Sequence, residues 1–124
     1  MSGRIPEVLY DAVEAKTTGV AKIYELEAPD NAVFPYLVIL QVSENVSQTL
    51  NRNEYSGRFQ IEVWHDDRFA GHILRDQVFD GVKTLRGERK GVLVYGVVMG
   101  GKRGEADKGV YKFQFDVTIT YKII

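Results

Sequence analysis

From Gly57 to Trp64 the chain alternates. Phe59, Ile61 and Val63 fall on one side, and Arg58, Gln60, Glu62 and Trp64 on the other. A period of two predicts a strand with one buried face. After His65-Asp66-Asp67 the period changes. Ala70, Ile73, Leu74, Val78, Val82 and Leu85 recur at spacings of three and four, which predicts a helix with these residues as its apolar stripe. Asp66 or Asp67 suits the helix start, where a carboxylate accepts free backbone N–H groups and meets the positive end of the dipole. Gly87 is placed to end the helix in a left-handed conformation.

The strictest alternation runs from Val110 to Ile124. Tyr111, Phe113, Phe115, Val117, Ile119, Tyr121 and Ile123 face one way, and Lys112, Gln114, Asp116, Thr118, Thr120 and Lys122 the other. Phe34–Leu40 is apolar at both parities, which predicts a strand covered on both faces and central in the sheet. Pro35, which has no N–H to donate, belongs at its start. Val92–Met99 reads as a further apolar strand, with Gly96 marking a bulge.

The remaining signals are weaker. Ile5, Val8, Leu9, Ala12 and Val13 predict a short N-terminal helix with Ser2 as its cap and Pro6 in its first turn. Val20–Leu26 reads as a short strand and Ala28–Asn31 as a turn. Ser43–Asn53 is polar and reads as a loop or the start of the next strand. Gly87–Gly91 reads as a turn. Gly100–Gly109, glycine-rich and charged, reads as an exposed, mobile loop that joins the last two strands into a long-looped hairpin.

Together these elements predict an α+β fold: a mixed, mostly antiparallel sheet of four to five strands, with the N-terminal helix and the long helix packed on one face. No internal repeat or linker interrupts the pattern, so residues 1–124 are expected to form a single domain.

Composition narrows the function classes. Of 124 residues, 44% are hydrophobic and 27% charged, with a formal net charge of −1. That balance argues against a surface built as a whole for nucleic acid. There is no cysteine, so disulfides and thiolate metal sites are excluded. Met1–Pro6 lacks the apolar core of a signal peptide and no apolar run is long enough to span a bilayer, so a protein made and used in water is expected.

Motifs for chemistry are incomplete. Gly96-Val97-Val98-Met99-Gly100-Gly101-Lys102-Arg103 has the G-x-x-x-x-G-K spacing of a phosphate-binding loop. Arg103 stands where Ser or Thr must hold magnesium, and a strand follows where a helix is needed. His65, Asp66, Asp67 and His72 are the candidate metal ligands, but Asp66 and Asp67 already have a capping role and three or four donors must converge. The two histidines have no nucleophile at a recognisable spacing. No cofactor, metal or catalytic residue is therefore assigned. Lys102, Arg103 and Lys108, with Glu105 and Asp107 between them, suit at most non-specific contact with passing DNA. Trp64, on the otherwise polar face of its strand, lies either under a neighbouring element or in a contact with another subunit.

In its order of elements the chain resembles the phage tail-completion, or tail-terminator-like, proteins of siphophages, prophages and gene transfer agents. Four stretches carry the resemblance: Ile5-Pro6-Glu7-Val8-Leu9, Phe34–Leu40, Phe59–Asp66 leading into the Ile73–Leu85 helix, and Val110–Val117. Leu50–Asn53 shows no matching motif. The resemblance implies a structural, non-enzymatic virion protein without cofactor, assembled in the bacterial cytoplasm. Such a protein forms a ring, a hexamer by resemblance, at the head-proximal end of the tail tube, with the tube protein and the head connector or neck protein as partners. The surface expected to meet other subunits comprises Trp64, Arg58, Lys102, Arg103 and Lys108. The competing expectation is a small bacterial ligand- or protein-binding module.

Overall fold

The computed structural model describes residues 5–16, 22–46 and 54–123. Two helices and six strands follow in the order α1 (Ile5–Lys16), β1 (Lys22–Glu25), β2 (Tyr36–Val46), β3 (Glu54–His65), α2 (Arg68–Lys83), β4 (Gly87–Arg89), β5 (Val92–Asp107) and β6 (Val110–Ile123). All six strands join one sheet in the order β1-β2-β3-β6-β5-β4. Among the described residues β1–β2 is the one parallel pair; the other pairs are antiparallel. The fold is thus α+β and mostly antiparallel as expected, with six strands in place of four to five.

Both helices lie over one face. The core between them and the sheet joins Val8, Leu9 and Val13 of α1 to Leu74, Val78 and Val82 of α2, and both to Phe59, Ile61, Val63, Phe115, Val117, Ile119 and Tyr121. The alternation in β3 and β6 therefore points the apolar sets inward. Phe113 is partly buried at the margin of this core, and Phe79 meets Phe115 edge-on, with ring centroids 5.2 Å apart. The Ser2 cap lies outside the described residues.

Helix α2 begins where the sequence places it: the Asp67 side chain accepts a hydrogen bond from the Ala70 N–H at 3.0 Å. Its inner face is rolled from the expected one. Gly71, Leu74, Arg75, Val78, Gly81 and Val82 are buried, whereas Ala70 is exposed and Ile73 is 59% exposed. The reason is space. A Cβ on Gly71 would sit 2.9 Å from the Phe113 ring and 3.0 Å from His65 Cβ, so only glycine fits against the sheet there. The helix also ends earlier than expected, at Lys83 with Thr84 as its C-cap; Gly87, at φ +89°, opens β4 instead.

The polar stretches hold more strand than their composition suggests. β2 continues through Ser43 to Val46, paired with β3 across a register shift at Gln41/Ser43; residues 47–53 lie outside the described set. β2 is internal, between β1 and β3, and Leu37, Val38 and Ile39 are buried at both parities. β4 and β5 meet in a two-residue turn, Lys90-Gly91, and β5 and β6 in another, Lys108-Gly109. All four turn residues have positive φ, as a tight hairpin turn matched to strand twist requires. The expected mobile loop over Gly100–Gly109 is therefore strand up to Asp107. Its residues are exposed, but each backbone partner is set by β6, from Lys102↔Phe115 to Asp107↔Val110. Bulges interrupt β5 at Tyr95, beside Gly96, and at Gly100-Gly101, letting it follow the curl of β6.

Candidate interaction surface

The sheet face turned away from the helices gathers most of the expected contact residues. Arg58, Gln60, Glu62 and Trp64 of β3 stand beside Lys112, Gln114 and Asp116 of β6, with Arg103 and Glu105 of β5 beyond them. Strand alternation delivers the β3 and β6 side chains to one surface, and Arg103 and Glu105 join them as the cross-strand partners of Gln114 and Lys112.

Asp116 is the hub of one network. Arg58 Nη2 lies 3.2 Å from Asp116 Oδ2, and Arg103 Nη2 lies 3.7 Å from Asp116 Oδ1. That Oδ1 atom is buried and accepts no hydrogen bond from the described residues. Gln114, also buried, stands between Gln60 and Arg103. With its amide oxygen toward Arg103, it accepts from Nε and Nη2 at 2.8 Å each. Gln60 in turn donates to Glu62 at 2.9 Å, and Glu62 accepts from Trp64 Nε1 at 3.0 Å. Glu62 thus fixes Trp64 against Gln60, Gln114 holds the Arg103 guanidinium, and Asp116 holds that of Arg58. Both arginine side chains stay about half exposed, so their remaining donors face solvent.

Trp64 belongs to an aromatic row. Its ring stacks on Tyr36 with centroids 5.9 Å apart, Tyr36 stacks on Phe34 at 5.5 Å, and Tyr24 meets Tyr36 edge-on at 5.7 Å. Lys112 Nζ lies 5.5 Å from the Trp64 centroid, within cation–π reach, and 3.6 Å from Glu105. Burial raises the Tyr36 phenol pKa above its ordinary value, with the Glu62 charge adding to the shift. Trp64 is half-buried and forms a wall shared by two hollows. One, of about 290 Å³, is lined by Leu26, Ala28, Tyr36, Val38 and Leu40; the other, of about 320 Å³, by Ala106, Val110, Glu105, Asp107 and Lys112.

The five sequence-chosen residues do not form one patch. Arg58, Trp64 and Arg103 share the open face. Lys102 points to the helix side, where Nζ lies 3.1 Å from Asp76 Oδ1 of α2 and 4.2 Å from the Phe79 centroid. Lys108 sits in the hairpin turn at φ +51°. The basic cluster of Lys102, Arg103 and Lys108 is thus divided, the first two by strand alternation and the third by its place in the turn. Burial works to raise the Asp76 pKa, but hydrogen bonds from Lys102 and Arg75, and their charges, outweigh it and hold the carboxyl below its ordinary range. Sequence reasoning missed Asp116, Gln114 and Tyr36 as site residues. Their polar-face parity was visible for the first two, but the Arg58 partner of Asp116 lies 58 residues away in sequence.

The groups considered for other chemistry are placed differently. The Gly96–Arg103 spacing lies along β5, with no loop-to-helix junction to cradle a phosphate. Asp67 caps α2, its own N–H donates to His65 Nδ1 at 3.0 Å, and His72 lies edge-on to Phe113 at 5.8 Å. Among the described residues no three His, Asp or Glu side chains converge as metal ligands would. No described helix is long and apolar enough to cross a membrane.

Neither a protein-family profile nor a curated protein sequence matches the chain. Solved structures do share its fold. A chain in the virion of a native gene transfer agent particle superposes with a TM-score of 0.65 at 14% identity, over 98% of this chain and 96% of that one. The bacteriophage SPP1 gp17 protein superposes with a TM-score of 0.52 at 15% identity, over 99% and 91%. Identity at this level establishes a common fold. The resemblance to phage and gene-transfer-agent proteins, first read from strand and helix patterns, therefore extends through the whole three-dimensional architecture.

Proposed function

We propose that the chain is a structural, non-enzymatic subunit of a phage-like virion tail. In this reading it forms a homo-oligomeric ring, a hexamer by family resemblance, that caps the head-proximal end of the tail tube and joins it to the head connector. Its partners are further copies of itself, the tail-tube protein and the connector or neck protein, and its location is the assembled particle. The observation that supports this most is the shared fold over nearly the full length of both this chain and a gene-transfer-agent virion chain. The open sheet face adds to it: a polar, hydrogen-bonded layer with exposed guanidinium groups and one fixed Trp has the make-up of a wet, specific protein interface. Negative-stain microscopy of the concentrated protein tests the reading; closed rings are expected, and a field of isolated monomers counts against it.

A second reading, a small binding module, is favoured by the two hollows beside Trp64. It predicts a partner or ligand bound by the monomer, with affinity lost in Trp64→Ala.

A further inference from the structure

We propose that successive copies of this chain join edge to edge, the outer edge of β5 in one copy pairing antiparallel with β1 of the next. This rests on the ring reading above and names the surface that makes the ring. β4 covers β5 only at Val92–Val94. From Tyr95 to Asp107 the outer edge of β5 has no partner strand among the described residues, and 100–109 are exposed. Such an edge is a template for another strand. The opposite edge of the same sheet is β1.

Strand directions permit the junction. β1, β2 and β6 run one way, β3 and β5 the other. Copies related by rotation about an axis roughly along the strands bring β5 beside β1 in antiparallel orientation.

The register then selects β1 of a second copy as the occupant. Cross-strand partners followed through the sheet place residues of β1 and β5 at equal height. Lys22 leads through Tyr36, Trp64 and Lys112 to Glu105; Tyr24 leads through Val38, Glu62 and Gln114 to Arg103. On the helix side Ile23 leads to Gly104, and Glu25 leads through Ile39, Ile61 and Phe115 to Lys102. Joining the edges at equal height sets Lys22 opposite Glu105, Glu25 opposite Lys102, the Tyr24 ring opposite the Arg103 guanidinium, and Ile23 opposite a glycine. Two opposite-charge pairs and one cation–π pair thus coincide in four consecutive positions, with each pair on a single face. The contact is heterologous, so repetition closes a ring when its rotation divides a full turn evenly, and it covers β1 and the open stretch of β5 in every copy.

The chain has no cysteine, so an engineered pair reports the junction cleanly. In one chain Lys22 and Glu105 lie four strand spacings apart, roughly 19 Å, which no disulfide spans. Oxidising Lys22→Cys/Glu105→Cys at assembling concentration should give a ladder of covalent oligomers ending at the closed ring, while neither single variant gives one. In parallel, Lys22→Glu should raise the half-assembly concentration about tenfold by setting like charges opposite each other, and adding Glu105→Lys should restore it. Rings of full mass without a ladder would overturn the edge pairing while leaving the ring reading intact. Cross-linked dimers from Glu105→Cys alone would mean that β5 pairs with β5, which also overturns it. A double charge swap no better than the single variants counts against the pairing, and a monomer at every concentration removes both the pairing and the ring.

Discussion

Arg58 of β3 reaches diagonally across to Asp116 of β6, with Nη2 3.2 Å from Oδ2, although 58 residues separate them in sequence. Arg103 approaches the same carboxylate from β5. One carboxylate thus meets two guanidinium groups on the open face. Because both arginines are half exposed, solvent screens the pairs, and the Arg58–Asp116 coupling is expected at about 1 kcal/mol or less. A double-mutant cycle with Arg58→Ala and Asp116→Ala, read by urea unfolding, checks this. The larger effect should be on assembly, since Asp116→Ala releases Arg58 from its set position while Gln114 still holds Arg103.

The core makes a sharper prediction. Ile61 and Phe115 are fully buried, so Ile61→Ala or Phe115→Ala should each cost about 2–5 kcal/mol. Ile73, on the outward side of α2, should cost within about 0.5 kcal/mol when cut to alanine. Denaturant unfolding of the three variants decides it, and a single cooperative transition is expected if the chain is one domain.

Gly71→Ala inverts an ordinary rule. In an exposed helix interior that change gains up to about 1 kcal/mol. Here the added methyl would meet the Phe113 ring at 2.9 Å and His65 Cβ at 3.0 Å. Overpacking should win, with a net loss of about 1–3 kcal/mol. Gly101→Ala is the control, because nothing lies within 4 Å of its added Cβ. Thermal melts of both variants give the comparison.

The same glycine shows where the sequence was readable and where it was not. β3, β6 and the existence of α2 were legible because their apolar positions repeat with one strict period. The roll of α2 was not, since glycines on its inner face carry no hydrophobic signal and Arg75 is buried there, its guanidinium 5.6 Å from the Phe113 centroid. β4 is three residues long and reads as a turn. The outer part of β5 reads as a loop because both its faces are polar; its strand character comes from pairing with β6. On the open face, the polar parity of Arg58 and Trp64 was visible, but the convergence of Arg58 and Arg103 on Asp116 depends on strand order, which local pattern does not contain.

Acid should act through Asp76. Its folded pKa lies below the ordinary 3.8, because Lys102 and Arg75 favour the carboxylate. A depressed folded pKa contributes stability that is present above the unfolded value and is lost as pH falls through the folded one. The loss attributable to Asp76 therefore falls below about pH 4, near the ordinary carboxylate value. Asp76 is partly exposed, so the effect is small. Asp76→Asn should be less stable than the parent at pH 6 and should close the gap as pH drops towards 2. Unfolding midpoints across that range provide the measurement.

Assembly into a ring is tested most directly by light scattering of the unaltered protein across a concentration series, with and without purified phage-like tail tubes. A monomer or small oligomer is expected in dilute solution, with mass rising towards that of a closed ring of about six copies as concentration increases, or at once when tubes are present; a modest interface per subunit gives that behaviour. A mass that stays at 14.0 kDa up to millimolar concentration, with no binding to tubes, would contradict the ring and leave the small binding module as the better description.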